Sequence, residues 1–163
     1  DGTPARRLDA SLDALADVRL RAIALAACEA TGVAQRALDI AAAYTKERQQ
    51  FGRIIGTYQG VSHRVANTFV ATQLSRSIAY WAAWAVSAGD AQADLAAASA
   101  KATAGENSVF ACEQSIQCHG GIGFTYEHVL HRFYKRAQWI NAFEGAARTH
   151  RAAIADELLG PAA

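Results

Sequence analysis

Glu144 is the residue of this chain best suited to chemistry, because it places a carboxylate between Phe143 and Gly145. A carboxylate that is removed from water becomes a stronger base, since burial disfavours its charged form. The same residues also fit a capping box, in which Asn141 caps a helix and Glu144 bonds back to its amide. Gly145 argues against the box, because glycine inside a helix costs about 0.5 to 1 kcal/mol relative to alanine. A general base and a helix cap are both open interpretations of these residues.

Three glycines lie within four positions in the segment 117–123, which reads Gln-Cys-His-Gly-Gly-Ile-Gly. One glycine at the end of a helix is the usual left-handed cap, and a cap needs no more than one. Additional glycines leave backbone N–H groups exposed, and such groups can bind an anion or the edge of a nucleotide. No predicted strand precedes the segment, so it is not the glycine fingerprint of a β-α-β dinucleotide fold. A helix cap and a ligand contact both stay open.

Arg48 is the third candidate, and it is followed by Gln-Gln-Phe-Gly at positions 49–52. It stands at the end of a long helical pattern, where a cation interacts favourably with the negative end of the helix dipole. Its guanidinium fork also matches the oxygens of a cofactor phosphate. A helix-end cation and a phosphate donor are therefore both consistent with its position.

The elements that position these residues are predicted to be helices. The chain has two prolines, Pro4 and Pro161, so nothing between them interrupts a helix strongly. Apolar residues recur at helical spacing over about 12–47, 61–88 and 95–119, and shorter patterns cover about 125–138 and 145–159. The stripes predicted to be buried contain Leu15, Val18, Ala22, Leu25, Val33, Ala37, Ile40 and Tyr44; Val61, Val65, Phe69, Leu74, Ile78, Trp81 and Ala85; Leu95, Ala98, Ala102, Gly105, Val109, Cys112 and Ile116; Val129, Leu130, Phe133 and Tyr134; and Ile154 and Leu158.

This pattern predicts an all-α protein, an antiparallel up-and-down bundle of three long helices and two shorter C-terminal ones. Residues 52–60 contain Gly56 and Gly60 and are predicted to form the first turn. No segment shows sustained alternation, so no sheet is expected. Residues 1–8 are expected to be a frayed tail, and residues 9–160 the bundle domain.

Composition excludes several classes of function. With 163 residues, 52% of them hydrophobic, the chain is long enough for one packed core and short for two. Its 16 basic and 15 acidic residues are spread along the chain without a basic stripe, so nucleic-acid binding is not expected. No apolar run approaches the roughly 20 residues that span a bilayer.

The cysteines favour a reducing compartment, and we expect a cytoplasmic protein. Cys28, Cys112 and Cys118 are odd in number and lie in alanine-rich surroundings, where a free cysteine behaves as a small apolar residue. The CxxC and HxxxH patterns that hold zinc are absent, so no metal site is expected. The sequence contains no methionine, and we expect it to be a piece of a longer protein.

The three clusters, at 48–52, 117–123 and 143–145, resemble in that order the C-terminal helical domain of acyl-CoA dehydrogenases. The residues at 32–39 and the pair Tyr58-Gln59 agree with the same family, so the resemblance covers about residues 9–159. It implies an FAD-dependent dehydrogenation of acyl-CoA thioesters in fatty acid or lipid catabolism. It also implies that an N-terminal helical domain and a β domain are absent from this chain, which alone would be inactive.

The resemblance assigns a role to each matching residue. Glu144 takes the position of the catalytic base, and Gly145 contacts the substrate. The cofactor contacts, made to the FAD of a neighbouring subunit, are Arg48, Phe51, Gln59, Gln117, Gly120 and Gly121. The implied assembly is a homo- or hetero-oligomer, a dimer or tetramer formed through the bundle, with an electron-transfer flavoprotein as electron acceptor.

Departures from the family pattern keep two alternatives open. Ala146 and Arg148 stand where a threonine and a glutamine commonly follow the glycine, which favours a non-catalytic subunit of a heteromeric dehydrogenase. Some members take their base from the first helix instead, but the matching stretch around Ala22 and Ile23 holds no carboxylate. The other alternative is a helical oligomerisation module in which the glycines and Arg48 are only caps.

Overall fold

The computed structural model describes residues 11–160, and these form a helical bundle with one short hairpin. The predicted all-α fold of three long and two shorter helices is confirmed. The tail expected at residues 1–8 lies outside the described residues. The helices are α1 (Leu12–Glu47), α2 (Gln59–Ala88), α3 (Ala93–His119), α4 (Leu130–Ala142) and α5 (Ala147–Leu159). Within residues 11–160, none of these helices is both long and apolar enough to cross a lipid bilayer.

The first helix is the longest of the five helices in the described residues. The Ser11 hydroxyl caps its start by accepting a hydrogen bond from the Ala14 backbone N–H at 3.1 Å. The helix then runs for 36 residues without a glycine or proline that breaks it, which gives a length of about 54 Å. It ends where Arg48 turns into extended backbone. The bounds match those predicted from the apolar pattern.

The connection from α1 to α2 contains a small ladder that the sequence analysis did not predict. Strand β1 (Gln49–Gln50) pairs antiparallel with β2 (Arg53–Ile54). Phe51 and Gly52 make the turn between them with positive φ angles of 52° and 78°. The expectation of no sheet is wrong here, because strands of two residues are too short to show alternation.

The interior of α2 is built largely from small residues, and the predicted stripe holds only in part. Ala85 is buried, and Ile78 and Trp81 are partly buried against the core. Thr68, Thr72 and Ser75 are buried, whereas Phe69 and Leu74 are 53% and 51% exposed. The buried hydroxyls donate to the carbonyls four residues earlier, so their polar groups are satisfied inside the bundle. Small residues at the seam let two helix backbones approach closely, and Phe69 and Leu74 are left on the outer face.

The same inversion applies to the first half of α1. The predicted core residues Leu15, Val18 and Leu25 are 56%, 64% and 68% exposed. The buried face instead consists mainly of alanines, including Ala27, Ala30, Ala34 and Ala37, each fully buried. Val33 and Ala37 of the predicted stripe are buried as expected.

Helix α3 lies at the centre and packs against the four other helices. Gly105 permits one of these contacts, because a Cβ there would lie 2.9 Å from the Asn141 side-chain oxygen on α4. The Ser115 hydroxyl ties α3 to α1 by donating to the Ala37 carbonyl at 2.8 Å. The predicted seam holds in part, since Ala102, Gly105 and Cys112 are buried.

The two C-terminal helices complete the bundle. A 3-10 turn at Gly120–Phe124 delays α4, which begins five residues later than predicted and extends to Ala142. Leu130 is fully buried as predicted, but Val129 and Leu158 are 41% and 64% exposed. Helix α5 agrees with its predicted range to within two residues.

Candidate functional site

Two of the three predicted clusters meet at the C-terminal end of α1, around a cavity of about 450 Å³. We call it the glycine-turn cavity. Its wall is shared by the hairpin after α1 and by the end of α3, so residues some 70 positions apart in sequence face one space. The predicted cofactor residues in this wall are Arg48, Phe51, Gln117, Gly120 and Gly121, and the others are Tyr44, Gln50, Ile55, Tyr58, Val61, Cys118 and His119.

Arg48 is held rigidly by its backbone and has a free side chain. Its N–H donates to the Tyr44 carbonyl at 2.9 Å, and its carbonyl accepts from the Ile55 N–H at 2.8 Å. Among residues 11–160, its guanidinium forms no ion pair with a carboxylate. Because its backbone is fixed and its guanidinium pairs with no described carboxylate, Arg48 is suited to bind a phosphate or carboxylate that enters the cavity.

The glycines of the turn at Gly120–Phe124 have two different roles. Gly120 caps α3 with φ 62°, and the space where a Cβ would sit on Gly120 or Gly121 is open. Gly123 is different, since a Cβ there would lie 2.6 Å from the Ile116 carbonyl oxygen. The first two glycines therefore leave bare backbone on the cavity side, and the third permits close packing of the turn on α3.

We expect Gly123→Ala to destabilise the protein by about 1 to 3 kcal/mol, because the added methyl group meets backbone that cannot rotate away. Gly121→Ala is the matched control, since nothing lies within 4 Å of its Cβ position. Urea unfolding of the two variants measures the difference. Equal free energies of unfolding would contradict the packing role of Gly123.

His119 is a cavity residue that sequence reasoning missed. Its ring stacks on Tyr44 at a centroid distance of 4.2 Å and lies 4.5 Å from the ring of His128. Nδ1 is 2.7 Å from the Ser115 carbonyl oxygen, which orients the ring. Burial lowers the pKa of His119, the charge of His128 acts in the same direction, and the Ser115 carbonyl acts against them. The available signal was a histidine directly before a glycine cap.

Gln59 does not line the glycine-turn cavity. It is the exposed first residue of α2, and its neighbour Tyr58 lines the wall instead. Its assignment as a cofactor contact stays a prediction.

Glu144 lies in the tight turn between α4 and α5, and the capping-box interpretation is wrong. Asn141 belongs to α4, and α5 begins after Ala146, which has no side chain that could cap it. Glu144 itself is left-handed with φ 56°, and Gly145 follows with φ 103°. A non-glycine residue in this conformation is uncommon and strained.

The Glu144 carboxylate is one-third exposed and meets a cation from α1. The Nε of Arg19 donates to its Oε2 at 2.7 Å. A cavity of about 250 Å³ lies beside Arg19, with Ile23, Asp94 and His150 also among its lining residues. The α1 stretch around Ile23 therefore lines the same cavity as the partner of Glu144.

Below the turn lies Lys101, a second residue that the sequence analysis missed. It is 1% exposed, and its Nζ donates to the carbonyls of Asn141 and Gly145, each at 3.2 Å. His150 is also buried, and its Nε2 has no hydrogen-bond partner among the described residues. The available signal was a single lysine in the alanine-rich α3, where every neighbouring seam residue is small.

The two groups of candidate residues stand at opposite ends of the bundle. Arg19 marks the Glu144 end of α1 and Arg48 marks the other, so roughly 43 Å of helix separates them at 1.5 Å per residue. One small molecule cannot contact both Glu144 and Arg48 of the same chain. Each end therefore contributes to a different site.

The cysteines have no reactive role in this geometry. Cys28, Cys112 and Cys118 are free, and the last two are buried. Burial and the nearby Glu113 raise the pKa of Cys112 to about 12, so its thiol stays protonated. In the described part of the chain, no three His, Cys, Asp or Glu side chains are grouped so that they could hold a metal ion.

Comparison with known proteins gives consistent matches. The family model for the acyl-CoA dehydrogenase C-terminal domain matches residues 15–159. Acyl-CoA dehydrogenase IpdE2 of Mycobacterium tuberculosis is 38% identical over 113 residues, which make up 69% of this chain and 34% of that protein. The chain spans about a third or less of the length of the first curated relatives it matches.

Solved structures agree in fold. Butyryl-CoA dehydrogenase from Megasphaera elsdenii superimposes with a TM-score of 0.80 at 27% identity, over 84% of this chain and 36% of that one. PigA with FAD and proline gives a TM-score of 0.81 at 28% identity, over 86% of this chain and 37% of PigA.

Proposed function

Because this chain belongs to the acyl-CoA dehydrogenase family and matches its C-terminal domain, we propose that the whole protein dehydrogenates an acyl-CoA thioester between its α and β carbons. FAD is the proposed cofactor, and the chain contributes the base and one wall of the cofactor site. The observation that supports the proposal most strongly is the position of Glu144, on a left-handed turn without a capping role, where its carboxylate pairs with Arg19 in the wall of a cavity.

In the proposed reaction, a Glu144 carboxylate oxygen accepts the proton from the carbon α to the thioester. The electrons of that C–H bond form the α,β double bond as a hydride leaves the β carbon. FAD, when bound, supplies the acceptor for this hydride. Arg19 is 60% exposed, so an incoming acyl chain can displace it from Glu144 at a cost of about 0 to 1 kcal/mol.

The residues at the other end of α1 fit part of a dinucleotide cofactor. Arg48 offers a phosphate a guanidinium that no carboxylate of residues 11–160 pairs with, and Gly120 and Gly121 offer backbone without side chains. Tyr44, stacked on His119, adds an aromatic surface in the same wall. This combination of charge, bare backbone and aromatic rings suits a nucleotide better than a fatty acyl chain.

The separation of the two ends supports an oligomer. Since one chain cannot bring Glu144 and Arg48 to the same cofactor, a complete site takes Glu144 from one subunit and Arg48 from its neighbour. The outer face of α2 supplies a surface for this association, because its large side chains are apolar and exposed. They are Phe69, Val70, Leu74, Tyr80 and Trp84. We propose a homo- or hetero-oligomer of this kind, with an electron-transfer flavoprotein as electron acceptor.

Ala146 and Arg148 favour a second candidate, a cofactor-sharing subunit whose partner performs the catalysis. Ala146 cannot donate a hydroxyl hydrogen bond at the start of α5, where a threonine would. The two candidates differ in whether Glu144 of this chain is required for turnover.

Purification of the whole protein tests the proposal directly. We expect a yellow protein whose flavin colour is lost when an acyl-CoA thioester is added without an electron acceptor. A colourless protein that gains no colour on incubation with FAD would favour the helical oligomerisation module. A yellow protein that no acyl-CoA bleaches would favour the non-catalytic subunit.

A further inference from the structure

We propose that Lys101 is a positioning residue for Glu144, acting through the backbone of the turn that carries it. The inference rests on the proposed function, because it takes Glu144 as the base. The Lys101 ammonium bonds main-chain carbonyls of the turn, whereas the Glu144 carboxylate bonds Arg19. Lys101 therefore touches the frame of the site and not the substrate.

The first argument is the cost of burying Lys101. A lysine that is 1% exposed has lost nearly all contact with water, and a buried ammonium is tolerated only where its protons are hydrogen-bonded. Two of its three protons are donated to main-chain carbonyls at 3.2 Å. Burial lowers the pKa of Lys101, and the negative charge of Glu144 acts in the opposite direction.

The second argument is which carbonyls are used. The Asn141 carbonyl belongs to the last turn of α4, where no further helix residue satisfies it, and a cation at that end interacts favourably with the dipole. The Gly145 carbonyl lies on the other side of Glu144 in sequence. By bonding both, Lys101 closes a bridge across residues 142–144, which contain the left-handed Glu144.

The third argument is strain. A non-glycine residue at φ 56° is strained and persists only when its surroundings hold it. Helix α3 supplies that restraint from two residues one helical turn apart. Gly105 lets Asn141 approach closely, and Lys101 donates a hydrogen bond to the Asn141 carbonyl. Without the bridge, the turn can relax and the carboxylate can move away from the reacting carbon.

The charged groups around Glu144 come from three helices. Arg19 of α1 pairs with it, Lys101 of α3 lies beneath it, and His150 of α5 lies close to the backbone of 144–145. Asp94 and Glu157 line the neighbouring cavity. Removal of the Lys101 charge makes this set less positive, so the pH–rate profile of the reaction should change with it.

The test uses the whole flavin-loaded oligomer and the variant Lys101→Met, which keeps the length of the side chain and removes its charge and donors. We expect the rate of flavin reduction by acyl-CoA to fall about 10- to 100-fold, as expected for a displaced reacting group. The rising limb of the pH–rate profile should move to higher pH, with KM and FAD content unchanged. Lys135→Met, at an exposed lysine of α4, controls for the loss of one positive charge.

Two further variants separate this inference from the proposed function. In a Glu144→Gln background, Lys101→Met should have no added effect, because Lys101 acts through Glu144. If Glu144→Gln retains the normal rate, the proposed function is wrong. If Glu144→Gln is inactive while Lys101→Met keeps the normal rate and pH profile, only the role of Lys101 is overturned.

Lys101→Gln provides the answer if Lys101→Met does not fold, since glutamine retains a donor without the charge. We expect Lys101→Gln to fold and to reduce its flavin faster than Lys101→Met. The rising limb of its pH–rate profile should stay shifted to higher pH. A folded Lys101→Gln with a normal profile would overturn the proposal. Failure of both variants to give a folded oligomer would also contradict it, because Lys101 would then support the bundle as a whole.

Discussion

Replacement of Glu144 by glutamine should slow flavin reduction by about 10²- to 10⁴-fold, the usual contribution of a positioned base. Glutamine has nearly the same size and shape, but its amide oxygen does not take the α proton at neutral pH. Mixing the flavin-loaded variant with acyl-CoA and following the loss of flavin colour measures the effect. Binding of acyl-CoA, followed by titration, should be retained.

The fold should not be affected by this change. The only charged contact of Glu144 among the described residues is Arg19, and an exposed ion pair of this kind is worth about 0 to 1 kcal/mol. Glu29→Gln is a close control, because it removes the exposed pair between Arg136 of α4 and Glu29 of α1. Rapid bleaching in Glu144→Gln would transfer catalysis to a partner subunit, whereas a slow Glu29→Gln would indicate a general effect of lost ion pairs.

Sequence reasoning predicted the helices well, because the pattern that defines them is local. Helical periodicity and the lack of internal proline set the bounds of α1 to the residue. The same reasoning failed in part on which face is buried, in α2 and in the first half of α1. It assigned Leu25 and Leu74 to the core because they are hydrophobic. In the structure these two residues are exposed, and the smaller Ala30 and Thr72 of the same helices are buried.

The physical reason is that closely packed helices need small side chains where they touch, whereas a hydrophobicity scale does not select residues by size. Alanine, serine and threonine at a seam let backbones approach, and a hydroxyl satisfies itself on the preceding turn. Large apolar residues are then left outside, where an oligomer can cover them. A single sequence does not distinguish an outer apolar face that meets a partner from one that meets the core.

The candidate site was predictable to a similar extent. Arg48 and the glycines at 120 and 121 were singled out from residue type, and they do share one cavity. Lys101 and Arg19 were missed because their importance comes from contacts with a turn more than 40 positions away. The choice between a base and a capping box for Glu144 depended on where α4 ends, which local patterns place only to within a few residues.

Replacement of Arg48 by alanine should weaken FAD binding to the whole oligomer by roughly 10- to 150-fold. The estimate follows from the loss of a charged hydrogen bond, worth about 1.5 to 3 kcal/mol, with each 1.4 kcal/mol equal to tenfold. Titration of the flavin-free protein with FAD measures the affinity. The FAD affinity of Arg48→Lys should lie between those of Arg48→Ala and the unaltered protein, because lysine keeps the charge but loses the bidentate geometry of the guanidinium.

Lys46→Ala distinguishes this role from that of a helix-end cation. Lys46 is also a basic residue in the last turn of α1, but it does not line the glycine-turn cavity. If Arg48 only stabilises the helix dipole, the two alanine variants should lose similar small amounts of stability, about 0.3 to 1 kcal/mol, and bind FAD equally well. If Arg48 contacts a phosphate, only its own variant should lose affinity, and added salt should reduce the difference between Arg48→Ala and the unaltered protein. Since Arg48 is proposed to bind the cofactor phosphate and Glu144 to take the proton, Arg48→Ala once saturated with FAD should still be reduced at the normal rate.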